Sequence, residues 1–452
     1  MLVACERVFG KSGFLFPATK KDPLPFFAIQ QVLLYFYTLN AILWVVIFLG
    51  RAPYLLIYSR TYQRTMQNSA SIIHVSLNPE LLRWARERAG RTVKDLATPF
   101  PRLDQWERGE EQPTLKQVER FAKAVHAPVG FLFLPKPPVE SVPIPDFRTT
   151  GNVHKLHPSP DLLDTIYICQ QRQEWYRDYA RSVGEEPIVF VGSATIKSAI
   201  VPVADIIRRA LGFDVDQRRD IPTWNDALRH FIEQADKLGV LVVCSGVVFN
   251  NTHRHLDPEE FRGFAMADTL APLVFINGAD TKAAQMFTLA HELAHIWLGQ
   301  SAVSDSQAVR LPETDVESWC NQVAAELLVP LAVLRAEYNQ SADLNAEKDR
   351  LARRFKVSTL VILRRIYDAG GLTEADLWQA YGDELARLRA IPRGSGGDFY
   401  LTQAARVSKR FARALVVSTL EGHTLHRDAF RMLGFSKLET FHELGRSLGV
   451  MG

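Results

Sequence analysis

Residues 281–299, TKAAQMFTLAHELAHIWLG, narrow what this chain can fold into more than any other stretch. Apolar side chains point in every direction around its helical wheel: Phe287, Leu289, Ala290, Leu293, Ala294, Ile296, Trp297 and Leu298. A helix that is apolar all round is a buried helix, so the chain must pack other elements on each of its sides. The same helix carries His291, Glu292 and His295. Histidines four apart lie on one face and can reach one ion together. Glu292 is rotated by about 100° from His291, so it can hold a water at that ion without ligating it. Burying two imidazoles and a carboxylate without partners would cost several kcal/mol. A metal ion supplies the partner, whereas two satisfied core histidines would leave Glu292 unexplained.

A catalytic zinc takes three protein ligands and keeps one position open. ETDVESWCNQVAAELLVP offers the third. Glu317 lies 22 residues after His295, and Asn321 follows one turn later on the same face, where it can orient a ligating histidine. Two other readings stand beside this one. Thr314-x-x-Glu317 also fits a capping box, and Glu326 is a rival ligand on a different face of the helix. Glu317 is preferred because it alone has the amide partner four residues on.

The 452 residues are too many for one ordinary domain, and 47% hydrophobic content supports sizeable cores. A net charge of +3 gives no strong pull towards nucleic acid. Cys5, Cys169, Cys244 and Cys320 are scattered, which argues against a disulfide framework or thiolate zinc site and fits a reducing, cytoplasmic setting. Residues 1–65 differ from the rest. Their 26–49 run has no charged side chain and is long enough to span a bilayer. It reads either as a membrane anchor or as an upstream extension of a chain starting at Met66. Residues 75–134 read as a compact helical unit, 135–160 as a proline-rich linker, 161–335 as the metal-bearing domain and 336–452 as a helical C-terminal domain. GVLVVCSGVV and LAPLVFIN read as strands. An exposed edge near 270–277 is expected to accept an extended peptide by strand addition. The fold class is mainly α with a small β-sheet, α+β.

FTLAHELAHIWLG followed by ESWCNQVAAELLVP resembles the ImmA/IrrE family of zinc metallo-endopeptidases. The likeness extends through LVFIN, FKVS, GGDFY and RDAFRMLG, from about residue 75 to the end. It implies a zincin-like domain with zinc held by His291, His295 and Glu317 and with Glu292 as general base. It also implies a protein substrate, often a repressor cut during stress or prophage induction. His253 and His255 are candidates for stabilising the oxyanion, although an ordinary polar loop explains them as well.

The unit LLRWARERAG…TVKDLA…WERGEEQPTLKQVERFAKAV resembles an XRE-type helix-turn-helix. It departs from that pattern at TPFPRLDQ, a short segment interrupted by two prolines. Ten Lys/Arg against eight Asp/Glu over 78–134 make a weak footprint for phosphate contacts. The unit is therefore expected either to contact DNA or to dock a partner repressor. Arg406, Lys409, Arg410 and Arg413 form a basic stripe, read as a solvated face rather than a nucleic-acid contact. The expected function is zinc-dependent cleavage of one protein partner, a transcriptional repressor, in a regulatory or toxin–antitoxin-like circuit. The alternative is a DNA-binding, antitoxin-like regulator with little or no peptidase activity. The expected place is the cytoplasm, or a membrane if the 26–49 segment is genuine.

Overall fold

The computed structural model describes residues 74–146, 158–304, 314–389 and 405–451. The apolar 26–49 run, the 147–157 part of the linker and the GGDFY segment lie outside them. Among the described residues no helix is long and apolar enough to cross a membrane.

The described chain is mostly helical around one four-stranded mixed sheet. Residues 77–132 close on a core of their own, centred on Leu81, Ala85, Trp106, Val118 and Phe121. Its helices are α1 (Pro79–Arg88), α2 (Val93–Leu96), α3 (Leu103–Glu107) and α4 (Leu115–Ala124). Local chemistry sets their ends. Asn78 caps α1, and capping boxes start α2 at Thr92–Asp95 and α4 at Thr114–Gln117. The proline-rich stretch that follows has no helix or strand over 135–146, only an isolated bridge from Asp146 to Val303.

Helix α5 (Pro160–Ser182) leads into α6 (Ile200–Leu211), α7 (Val215–Arg219) and α8 (Trp224–Lys237). Strands β1 (Leu241–Ser245), β2 (Gly263–Met266) and β3 (Leu273–Asn277) precede α9 (Lys282–Leu298). Strand β4 (Ala302–Ser304) and α10 (Asp315–Leu328) come next. Then follow α11 (Leu331–Glu337), α12 (Leu344–Phe355), α13 (Thr359–Asp368) and α14 (Glu374–Arg389). The chain ends with α15 (Lys409–Leu420), α16 (His426–Leu433) and α17 (Leu438–Ser447).

The strand order is β1-β3-β2-β4, with β1 parallel to β3 and the other pairs antiparallel. This overturns the expectation of an open edge near 270–277. β3 is an interior strand, because the short strands β2 and β4, which carry little periodic signal, pair beyond it. The outer edge is β4, and there the Val303 amide already donates to the Pro145 carbonyl at 2.9 Å.

Both faces of the sheet are covered, which is why β1 and β3 read as unbroken apolar runs. Val242, Ala265, Val274 and Ile276 face one core with α6, α8, α9, α10, α12 and α13. Leu241, Val243, Phe264, Phe275 and Val303 face another, with α5 and α15 to α17. α5 bridges the sheet and the last helices. Gln173 donates to the Met266 and Ala271 carbonyls, and buried Arg172 donates to the Met432 carbonyl.

Two devices fix α9 and α10 lengthwise. Thr281 caps the start of α9, and Gly299 ends it in a left-handed turn. A Cβ there would come 2.9 Å from the Gly192 Cα, so the 190–194 loop can close over the helix end. The Gly192 and Ala194 amides satisfy the Ile296 and Trp297 carbonyls, and Phe190 stacks on Trp297 at 4.1 Å. At the end of α10, three arginines from three other helices take the last carbonyls. Arg208 donates to Glu326 and Leu327, Arg218 to Leu328, and Arg365 to Val329.

Candidate metal centre

α9 and α10 pack side by side and bring His291, His295 and Glu317 together. The two Nε2 atoms are 3.1 Å apart. Glu317 reaches His291 Nε2 at 3.1 Å and His295 Nε2 at 3.0 Å, one carboxylate oxygen to each. Ligands on a tetrahedral ion with bonds of 2.0–2.1 Å stand about 3.3 Å apart, so this spacing fits a metal. The donor set, two imidazoles and one carboxylate, is also one that zinc accepts. All three residues are buried.

The two rival readings of α10 resolve by contact. Thr314 does cap the helix, accepting from the Glu317 amide at 3.2 Å, but the Glu317 side chain turns to the histidines instead of completing a box. Glu326 is engaged elsewhere, paired with buried Arg365 and accepting from the Leu331 amide. Burial would lower the His291 pKa, but the Glu317 charge and hydrogen bond raise it, and Asn321, lying beside the ring, adds a smaller push in the same direction. The Asn321 Oδ1 and the His291 Nδ1 are both buried with no other hydrogen-bond partner among the described residues. A bond between them would satisfy both and leave Nε2 turned to the ion.

Glu292 is fully buried, is outside the three-residue cluster and has neither carboxylate oxygen hydrogen-bonded. Burial pushes its pKa up to about 8; His291 works against this and Glu317 adds to it. Burial would raise Glu317 too, but the His291 charge and the hydrogen bonds from both histidines override it and hold the group down at about 2. Two neighbouring carboxylates are thus driven apart, one kept ionised and one poised to carry a proton.

The remaining candidates lie elsewhere. His253 and His255 are exposed in the loop after β1, where the His253 amide bonds Asn251. The basic stripe is partly neutralised within the chain, Lys409 by Glu233 and Arg410 by Glu185, both at 2.9 Å. Residues that sequence reasoning missed are Gly263 and Ser304, which stand beside Glu292. Nothing in their local sequence marks them, since only the pairing of β2 with β4 brings them together.

Residues 235–367 match the family model described as the IrrE N-terminal-like domain of the Peptidase M78 family. The matched span runs from the end of α8 through α13 and contains His291, Glu292, His295 and Glu317. It supports the ImmA/IrrE likeness and a metallopeptidase-like function for this part of the chain. A second model, for a domain of unknown function (DUF8813), matches residues 407–447, the α15–α17 region. Among curated proteins no match is found.

Proposed function

We propose that the chain is a zinc-dependent endopeptidase that cleaves one protein partner, a transcriptional repressor, within a regulatory circuit. The observation that carries this reading is Glu292, a buried carboxylate next to the convergent His291–His295–Glu317 set yet left out of it. A metal ion bound by that set would polarise the scissile carbonyl and acidify the attacking water. Glu292 accepts the water proton at its carboxylate and returns it to the leaving amine. Burial raises its affinity for that proton. Glu317 stays ionised, and Asn321 holds the tautomer of His291.

The test uses purified protein, its zinc content, and cleavage of a candidate transcriptional repressor. Glu292→Gln should bind zinc like wild type and lose cleavage by at least about a hundredfold. If it cleaves as fast as wild type, the mechanism is wrong.

For the helical unit at 74–134 we propose partner docking rather than base reading. Its α3 has only 5 residues, placed just after Pro99 and Pro101. Arg102 and Arg108 beside it are paired with Glu111, Asp104 and Glu110. Tight, sequence-specific binding of the full chain to operator DNA would overturn this.

A further inference from the structure

The carboxylate of Glu292 needs something to hold it, and the sheet beneath α9 offers a seat. Gly263 on β2 and Ser304 on β4 are direct cross-strand partners. Both lie on the sheet face that meets α9, since their neighbours Phe264 and Val303 belong to the opposite core. An added Cβ at Gly263 would come within 3.0 Å of Glu292 Oε1, 2.6 Å of Thr288 Cγ2 and 2.8 Å of the Phe275 carbonyl. The missing side chain is therefore the slot that the carboxylate enters. Ser304 is fully buried, and its hydroxyl has no hydrogen-bond partner within bonding distance among the described residues; neither Glu292 oxygen has one either. The next residues on this face of the two strands, Ala265 and Ala302, carry no polar group. Unmade hydrogen bonds at buried groups are costly, and these two groups can satisfy each other.

We infer that Ser304 is a positioning residue, whose hydroxyl donates to the Glu292 carboxylate and holds it in the slot left by Gly263. This rests on Glu292 being the general base. A serine donates one hydrogen bond, so one carboxylate oxygen is held and the other stays free for the water proton. The backbone around Ser304 is held in place. Its carbonyl accepts from the Arg262 amide, and the Arg262 carbonyl accepts from the Asn277 amide.

The experiment is a double-mutant cycle on the full chain, with and without zinc. Melting temperatures are compared for wild type, Ser304→Ala, Glu292→Met and the double variant. Ser304→Ala should lower the melting temperature when Glu292 is present and by less than half as much in the Glu292→Met background. Additive shifts would overturn the inference whatever the substrate. A second readout is cleavage of the same candidate repressor used to test Glu292. Ser304→Ala should lower kcat about tenfold with KM within about twofold, and Ser304→Thr, which keeps the hydroxyl, should restore kcat. Unchanged kcat in Ser304→Ala also overturns it. If instead Glu292→Gln cleaves normally, the base assignment fails, while the cycle still reports whether the two side chains touch.

Discussion

The helical unit at 77–132 and the α9–α10 pair both surround apolar cores, yet they treat their polar atoms in opposite ways. In the helical unit, caps and ion pairs hold many of the polar side chains: Arg86 with Glu107, Arg102 with Glu111, Thr92 with Asp95, Thr114 with Gln117, and among the described residues there only Gln105 Oε1 is buried without a partner. Around α9 and α10, buried atoms of His291, Glu292, Asn321 and Ser304 lack a direct bond. A protein keeps such atoms where a ligand or a reaction supplies the missing partner.

The strongest way to break that contrast is to remove a candidate ligand. Glu317→Ala should lower zinc content from about one ion per chain to near zero, and cleavage with it, as read by metal analysis after dialysis. Retention of the ion would return Glu317 to the role of a helix-start residue.

Next in size is Arg365→Met. It leaves Glu326 buried without its charge partner and the Val329 carbonyl without its donor. Breaking such a pair costs about 3–5 kcal/mol, so denaturant unfolding should show a large fall in stability.

Asp236 gives a smaller, pH-dependent effect. Burial lifts its carboxyl to about 7, against the Val242 backbone and Ser408 hydrogen bonds and the Lys409 and Arg410 charges. One of its oxygens is buried without a partner. Because the folded pKa lies above the unfolded one, the folded state holds this proton more tightly. The associated stability is full below about pH 4 and is lost as pH rises through about 7. Asp236→Asn should therefore raise the melting temperature by a few degrees at about pH 8 and leave it nearly unchanged at about pH 4. The smallest effect belongs to the helical unit. Thr114→Ala removes one capping box and should cost about 1 kcal/mol with zinc content unaffected.

The amphipathic and all-apolar helices were legible in sequence because their periodicity and caps are local. α9 is expected from residue 281 and runs from Lys282; α10 is expected near Thr314 and runs from Asp315. The strands were half legible. β1 and β3 are β-branched runs, but β2 has 4 residues and β4 has 3, too few for a pattern. Without them, β3 reads as an edge. The spacing that brings His291, His295 and Glu317 together is readable from helix geometry. Gly263 and Ser304 are not readable, because 41 positions separate them and only the register of two short strands makes them neighbours.

The arginine-capped end of α10 bears on how variants of this chain would sort in a genetic screen. Arg208, Arg218 and Arg365 come from three separate helices, and none belongs to the metal cluster. All three nevertheless anchor the helix that presents Glu317. A selection for loss of function should therefore recover lesions at these arginines along with those at the ligands. They would be told apart by dose: ligand lesions stay inactive at every expression level and temperature, whereas arginine lesions should regain function when the protein is abundant and the culture is cool.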